Sequence, residues 1–241
     1  MGKAGKNAGY NQPRCDVMHG PSGTSEEDFF WVRSKAVLLD MDGVLIDAKD
    51  WHYEALNRAL GLFGMEISRY EHLVTYDGLP TIRKLEMLSL ERGLPVRLHD
   101  FINTMKQQYT MEIVYSRCKP VYYHEYALAK LRTDGYSLAV CSNSIRTTIE
   151  VMMDRANLKK HLDFMVSAQE VPMGKPDPAI YQTAMSRLGL DPKECLILED
   201  NENGIKAALA SGAHLMRISA VEDANYQNIK RRIAEIEGAT C

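Results

Sequence analysis

The hydrophobic and polar positions divide this chain into an unpatterned beginning, a helical stretch and a long alternating stretch. Residues 1–34 are rich in Gly, Ser, Asn, Pro and charged residues and show no sustained period, so we expect a disordered extension. The continuous apolar run inside Lys35–Asp40 then predicts the first strand, which we expect to be buried.

Residues 48–118 carry apolar positions at helical spacing and contain no convincing strand. From Lys49 to Phe63 these positions recur every three or four residues, and Gly64 suits the end of that helix. Thr81–Leu90 and Asp100–Val114 show the same spacing. The sequence therefore predicts an all-helical insert of about 70 residues after the first strand.

After Pro120 short apolar runs alternate with helical patterns. The predicted strands are Tyr136–Cys141, Phe164–Val166, Cys195–Leu198 and His214–Ile218. The predicted helices are His124–Thr133, Ile145–Ala156, Pro178–Leu188 and Gly204–Ser211. This alternation is typical of an α/β fold with a Rossmann-like parallel sheet and helices on both faces. We expect residues 35–47 and 119–241 to form that core.

Composition and charge argue against several kinds of partner. The 241 residues carry a net charge of −3 with acids and bases interspersed, which argues against nucleic acid and anionic membranes. No apolar run approaches the roughly 20 residues of a membrane-spanning helix, and no apolar segment of a secretory signal follows Lys3 and Lys6. We expect a monomer that binds a small molecule.

The five cysteines show neither a CxxC motif nor a histidine at zinc-finger spacing. Cys141 and Cys195 lie in apolar strand patterns, with no neighbouring base to lower the pKa of either thiol. This pattern favours buried thiols over a catalytic cysteine, and it indicates a reducing, cytoplasmic location.

Four polar clusters follow the predicted strands or lie in loops. They are Asp40-Met-Asp-Gly-Val44, Cys141-Ser-Asn-Ser144, Gly174-Lys-Pro-Asp-Pro178 and Glu199-Asp200. The carboxyl ends of parallel strands are where open α/β sheets place their sites. A nucleophile, a hydroxyl, a lysine and an acid pair are the groups that Mg²⁺-dependent phosphoryl transfer needs.

In the first cluster, Asp40 is the predicted nucleophile, because a carboxylate can attack a phosphoryl group and form an aspartyl phosphate. Asp42 lies two residues further on and is placed to protonate the leaving alcohol and then to activate water. Its backbone carbonyl is also a candidate to face the metal ion. Taken alone, Asp-x-Asp-Gly also occurs in turns with an Asx cap, which is the alternative for this cluster.

The next two clusters are candidates for binding phosphate. We predict an anion cradle at a helix start, formed by the Ser142 hydroxyl, Asn143 and the backbone N–H groups that follow. The alternative is that Ser142 or Asn143 simply caps the following helix. Lys175 lies between Gly174 and Pro176, a frame that would aim its ammonium group at phosphoryl oxygens. The alternative for Lys175 is an ordinary surface lysine.

Glu199 and Asp200 end a predicted strand and are candidates to share an octahedral Mg²⁺ with Asp40, Asp42 and water. The alternative is an acid pair at the start of the following helix, where the helix dipole favours negative charge.

Together the four clusters resemble the haloacid dehalogenase superfamily, from about Lys35 to about Ile218. The helical insert is similar to the cap of its beta-phosphoglucomutase and phosphoglycolate phosphatase branch. The resemblance implies Mg²⁺ as cofactor, with these roles: nucleophile and metal ligand for Asp40, acid/base for Asp42, phosphate binding for Ser142 and Lys175, and metal binding for Glu199 and Asp200. The aspartate at the second acid position argues against the dehalogenase and phosphonate-hydrolase branches, so a phosphatase or phosphotransferase is implied.

Substrate choice is expected to lie in the insert, residues 48–118. His52 resembles the histidine that couples cap closure to the acid/base aspartate in beta-phosphoglucomutase, although a core or surface histidine is the alternative. Ala48 stands where that mutase carries Thr or Ser, and Thr81 stands where it carries Arg. Further candidates to bind the non-reacting end of a sugar phosphate, each with a solvated helix face as alternative, are Arg83, Lys84 and Lys106.

Three functions remain open at this point. The first is a Mg²⁺-dependent phosphatase of a small phosphorylated metabolite, for which we expect a sugar phosphate. The second is a sugar phosphomutase, which must exclude water and bind a second phosphate, and the third is a non-catalytic binding protein. The missing hinge threonine and cap arginine favour the phosphatase. An insert of about 70 residues over the site argues against protein and nucleic-acid substrates.

Overall fold

The computed structural model of the chain describes residues 33–238. The disordered extension predicted over residues 1–34 therefore lies outside the described residues, apart from Arg33 and Ser34. In the part of the chain that is described, none of the helices is both long and apolar enough to cross a membrane.

Five parallel strands form one sheet in the order β3-β2-β1-β4-β5. Their bounds are β1 Ala36–Leu39, β2 Ser137–Ser142, β3 Phe164–Ser167, β4 Cys195–Glu199 and β5 His214–Arg217. The central strand β1 is completely buried, which agrees with its continuous apolar sequence. The predicted α/β fold class is confirmed.

The α-helices of the described region are α1 Lys49–Gly61, α2 Arg69–Glu71, α3 Thr81–Arg92, α4 His99–Arg117, α5 Tyr122–Thr133, α6 Arg146–Arg155, α7 Ala179–Leu188, α8 Glu202–Ser211 and α9 Tyr226–Ile236. A π-helical turn, His72–Tyr76, continues α2 directly. Short 3₁₀ turns lie at Val96–Leu98, Lys159–His161, Ala168–Glu170, Pro192–Glu194 and Val221–Asp223.

Helices cover both faces of the sheet. On one face α5, α6 and α9 pack against the strands through Leu131, Ile149 and Ile229. On the other face α7 and α8 pack through residues such as Ile180 and Ala207. With both faces covered, the edge of the sheet formed by the strand ends stays available for a site.

The helices between β1 and β2 build a hydrophobic cluster of their own. Leu56 and Leu60 of α1 pack there with Leu85 of α3 and Ile102 of α4. The division of the chain into a catalytic core and a cap over residues 48–118 stays a prediction.

Helix α9 is the main element that the sequence analysis missed. Its apolar positions Tyr226, Ile229, Ile233 and Ile236 follow helical spacing, and the Asn225 side chain caps its start by accepting from the Asn228 backbone N–H at 3.0 Å. The signal was therefore present after the last predicted strand. The π-helical turn also went unpredicted, because hydrophobic spacing does not distinguish it from an α-helical turn.

Replacing Ile229 by alanine tests whether α9 belongs to the core. Because this side chain is fully buried, Ile229→Ala should lower the free energy of unfolding by about 2–5 kcal/mol in urea titrations. The control, Leu90→Ala, removes a side chain that is 89% exposed and should change it by less than about 0.5 kcal/mol. Equal effects of the two variants would show that α9 is not part of the folded core.

Candidate active site

The strand ends bring three of the predicted residues into direct contact. The register pairs Leu39 of β1 with Leu198 of β4, so Asp40 and Glu199 lie side by side. The Lys175 Nζ donates to Asp40 Oδ1 at 2.6 Å and to Glu199 Oε1 at 2.6 Å. It also donates to the Cys141 carbonyl at 2.7 Å. All three side chains are buried, so the lysine predicted in a loop is an interior residue rather than a surface one.

Charges in this buried group shift its pKa values. Burial lowers the pKa of Lys175, but Asp40 and Glu199 outweigh burial and hold it above its usual value. Burial raises the pKa of Asp40; Lys175 opposes this, while Glu199 and Asp200 add to it, so that it lies well above the usual range. One ammonium group thus does not balance the carboxylates that surround it.

Asp40, Glu199 and Asp200 each offer an oxygen, and these atoms lie within 4.8 Å of one another. Carboxylate oxygens are the ligands that Mg²⁺ prefers, and a divalent cation would offset the excess negative charge. The donor set therefore fits the predicted metal. Asp42 is not part of this group, because its carboxylate is directed elsewhere.

Glycines leave room for the two acidic side chains. A Cβ on Gly204 would lie 2.0 Å from the Glu199 carboxylate, and one on Gly43 would lie 2.1 Å from Asp200 Oδ2. Gly43 also adopts a positive φ of 88°, which other residues rarely adopt. The two motif glycines are thus needed for close approach to the carboxylates.

Asp42 contacts the helical insert. Its Oδ1 lies 3.0 Å from His52 Nε2, and its Oδ2 accepts from the Ser144 hydroxyl at 3.2 Å. Lys106 Nζ lies 3.3 Å from the other ring nitrogen, His52 Nδ1. Since an ammonium group only donates, Nδ1 accepts and Nε2 carries the proton that is donated to Asp42. These partners select one tautomer of a neutral imidazole.

The pKa values agree with this arrangement. Burial raises the pKa of Asp42, but His52, Lys106 and Ser144 outweigh it and lower the pKa below its usual value. Burial, together with Lys106, lowers the pKa of His52 against the effect of Asp42. Without a ligand Asp42 is therefore a carboxylate beside a neutral histidine.

Asn143 secures the loop that carries Lys175. Its Oδ1 accepts from the Lys175 backbone N–H at 2.9 Å, and its Nδ2 donates to the Lys175 carbonyl at 3.1 Å and to the Gly78 carbonyl at 3.3 Å. Gly174 lies directly against this amide, where a Cβ would come within 2.5 Å of Oδ1. Ser142 is buried, and its hydroxyl accepts from the Ser144 backbone N–H at 3.1 Å. The roles of Ser142 and Asn143 in phosphate binding stay predictions.

A cavity of about 210 Å³ lies between the strand ends and the helical insert. Its core side includes Asp42, Asn143, Ser144, Asp200 and Asn201. Its insert side includes Lys49, His52, His72, Thr81, Lys84 and Lys106. At roughly 30 Å³ per water molecule, this space equals about seven waters and suits a small metabolite.

The cap candidates divide between the cavity and the outer surface. His52, Thr81 and Lys106 line the cavity. Arg83 does not: its side chain is 70% exposed and pairs with Glu86 at 2.5 Å. Lys84, the next residue on α3, is buried and lines the cavity, so a solvated helix face is excluded for it and for Lys106.

Several residues of the site were missed in the sequence. Tyr181 of α7 donates from its hydroxyl to Glu199 Oε1 at 2.5 Å. Lys49, the first residue of α1, places its Nζ 2.7 Å from Asp200 Oδ2. Ser144 was noted only as part of its cluster. Nothing in the local sequence distinguishes Tyr181 or Lys49 from other residues of amphipathic helices, because their partners are distant in the chain.

A family model described as haloacid dehalogenase-like hydrolase matches residues 37–218, which is well over half of the chain. The phosphorylated carbohydrates phosphatase of Thermotoga maritima is 27% identical over 184 residues, which cover 74% of this chain and 82% of that protein. The phosphoglycolate phosphatase of Aquifex aeolicus is 28% identical over 180 residues, which cover 74% and 81%.

Among solved structures, beta-phosphoglucomutase from Clostridium difficile superposes with a TM-score of 0.72. The match covers 84% of this chain and 98% of that protein at 18% sequence identity. At this identity the likeness establishes a shared fold and nothing about the reaction.

The contact between Gly204 and Glu199 gives a direct test of the site. Gly204→Ala places a Cβ against a fully buried carboxylate that has no room to move, so the free energy of unfolding should fall by more than about 2 kcal/mol. Gly61→Ala is the matched control, because nothing lies within 4 Å of its Cβ position. Because position 61 lies in a helix, Gly61→Ala should raise the free energy of unfolding by up to about 1 kcal/mol. A Gly204→Ala protein as stable as wild type in urea titrations would contradict the described packing.

Proposed function

The chain belongs to the haloacid dehalogenase-like hydrolases, and from this premise we propose that it is a Mg²⁺-dependent phosphatase of a small phosphorylated metabolite, with a sugar phosphate as substrate. The observation that carries the proposal is the buried contact of Lys175 with both Asp40 and Glu199. The relatives named above are phosphatases, one of them of phosphorylated carbohydrates.

In the proposed reaction an Asp40 oxygen attacks the phosphorus atom, and the bond between phosphorus and the leaving oxygen breaks. The product of this step is an aspartyl phosphate, which water then hydrolyses to free phosphate and the original carboxylate. Lys175 stays an ammonium group throughout, because two carboxylates hold its pKa above the usual value. It neutralises part of the repulsion between Asp40 and the phosphoryl group.

Asp42 moves the proton in both steps. It donates a proton to the leaving alcohol and then takes one from the attacking water. A phosphate dianion in the cavity raises the pKa of Asp42, since a like charge favours the protonated form, and so opposes the effect of His52. The hydrogen bonds from His52 and Ser144 keep this carboxyl group oriented.

Asp40, Glu199 and Asp200 are the side chains proposed to hold Mg²⁺. When bound, the ion neutralises charge on the phosphoryl oxygens and so lowers the barrier for an anionic nucleophile. Tyr181 donates to Glu199 and Asn201 lies beside it, so both orient this ligand from behind.

A reducing cytoplasm is the proposed location. Cys118, Cys141 and Cys195 are free and buried, and the described residues form no disulfide. Burial raises the pKa of the Cys141 thiol to about 12, so it stays protonated and unreactive beside the site.

A sugar phosphomutase is the second proposal, because His52 of the insert contacts Asp42 at 3.0 Å. This contact would couple movement of the insert to the acid/base group, as a mutase that excludes water requires. Thr81 supplies no cation to the cavity, but Lys84 and Lys106 do, so the phosphatase is favoured by the named relatives and not by the charge of the insert.

Replacing the nucleophile tests the proposed reaction. Asp40→Asn should lower Mg²⁺-dependent phosphate release from hexose, pentose and three-carbon phosphates by about a thousandfold or more. Asp154→Asn is the control, because that side chain is exposed on α6 and lies outside the cavity. Unchanged release from Asp40→Asn would overturn the proposed nucleophile. Interconversion of sugar phosphates after addition of a bisphosphate, without phosphate release, would establish the mutase instead.

Removing the metal tests the acidic cluster. Treatment with a chelator should abolish phosphate release, and added Mg²⁺ should restore it and raise the melting temperature of the protein. Asp200→Asn should abolish that rise. Full activity in excess chelator would refute a metal-dependent reaction, whatever the substrate.

A further inference from the structure

Two buried lysines on the insert side of the cavity have no partner of opposite charge. Lys84 of α3 is 7% exposed and Lys106 of α4 is 8% exposed, and both line the cavity. The Lys84 side chain forms neither a hydrogen bond nor an ion pair with any described residue. Among the described residues, the only hydrogen-bond partner of Lys106 Nζ is the neutral Nδ1 nitrogen of His52.

The acidic residues of the cavity are already engaged elsewhere. Asp42 contacts His52 and Ser144, while Asp200 pairs with Lys49, and Asp77 lies 3.8 Å from the same lysine. Burial lowers the pKa of Lys84 to about 8, and burial with the neighbouring Lys84 lowers that of Lys106 to about 8. Two ammonium groups held together out of water are costly unless an anion joins them.

A histidine beside the lysines adds a further free polar group. His72 lies in the π-helical turn, is 2% exposed and lines the same cavity. Neither of its ring nitrogens forms a hydrogen bond of regular geometry with a described residue, although the Lys49 backbone lies close enough to oppose the fall in the pKa of His72. Burial, with Lys84, lowers the pKa of His72 to about 4, so it offers a neutral N–H group. π-helical turns occur frequently at functional sites.

We propose that Lys84, Lys106 and His72 bind a second anionic group, so that the substrate is a phosphate ester whose far end carries a carboxylate or another phosphate. This inference rests on the proposed phosphatase. The reacting phosphoryl group has its own proposed cation in Lys175, which contacts Asp40 at the strand ends and is not among the residues that line the cavity beside Lys84 and Lys106. A sugar hydroxyl at the far end would leave both ammonium groups without a counter-charge.

The test compares substrates that differ only at the far end. Glycerol 3-phosphate and 3-phosphoglycerate share a three-carbon chain and end in an alcohol or a carboxylate. Fructose 6-phosphate and fructose 1,6-bisphosphate make the same comparison for a second phosphate. In one of the two pairs, we expect kcat/KM to be at least tenfold higher for the compound with two anionic groups. The pair that shows this preference tells whether the second group is a carboxylate or a phosphate.

Lys84→Gln should reduce this preference about tenfold or more, and Lys84→Arg should restore part of it. Arg83→Gln is the matched control, because it removes the neighbouring cation of the same helix on the outer face and should keep the preference. A wild-type enzyme that hydrolyses both members of each pair equally well overturns the inference. So does an unchanged preference in Lys84→Gln.

Calorimetric binding to Asp40→Asn separates this inference from the proposed reaction. Tighter binding of the compounds with two anionic groups supports the anion site even if no phosphate is released, provided that adding Lys84→Gln to the Asp40→Asn protein weakens this binding. Equal binding of both members of each pair refutes the anion site and leaves the phosphatase standing. If Lys84→Gln does not fold, the inference is decided by two measurements: the kcat/KM preference of the wild-type enzyme and the calorimetric binding of both members of each pair to Asp40→Asn.

Discussion

A buried ammonium group holds the strand ends of this protein together. Lys175 donates to Asp40 after β1, to the Cys141 carbonyl in β2 and to Glu199 at the end of β4. Taking these charges out of water is costly, and it is tolerated only because all three donated hydrogen bonds are satisfied. Much of the neighbouring sequence follows from this need. Asn143 secures the lysine loop, and glycine at position 204 leaves space for the glutamate.

The two walls of the cavity carry different charge. The strand ends concentrate carboxylates, whose oxygens fit a divalent cation. The helical insert supplies cations from α1, α3 and α4, and one of them, Lys49, bridges back to Asp200. His52 joins the walls through its contact with Asp42, so the orientation of the Asp42 carboxyl group depends on the position of α1. A substrate with charge at both ends would match this arrangement along its length.

Local patterns were sufficient for the fold and for the family. Each strand predicted from an apolar run is present, and its bounds moved by no more than two residues, because a strand buried in a parallel sheet is a continuous apolar segment. The family prediction rested on four short clusters in order and is confirmed by the match over residues 37–218. Helix α9 was overlooked although its spacing is clear. The separation into core and cap and the individual residue roles stay predictions.

The sequence by itself determined the α/β sheet, the helical insert and the identity of the four motif clusters, since each is encoded within a few consecutive residues. Only the tertiary structure decided which side chains face the cavity. Arg83 and Lys84 are neighbours on α3, and a helix turns about 100° per residue. Packing of α3 directs the lysine inward and leaves the arginine on the surface. Likewise, Tyr181 reaches Glu199 only because α7 packs beneath the sheet, a contact between residues that no local pattern connects.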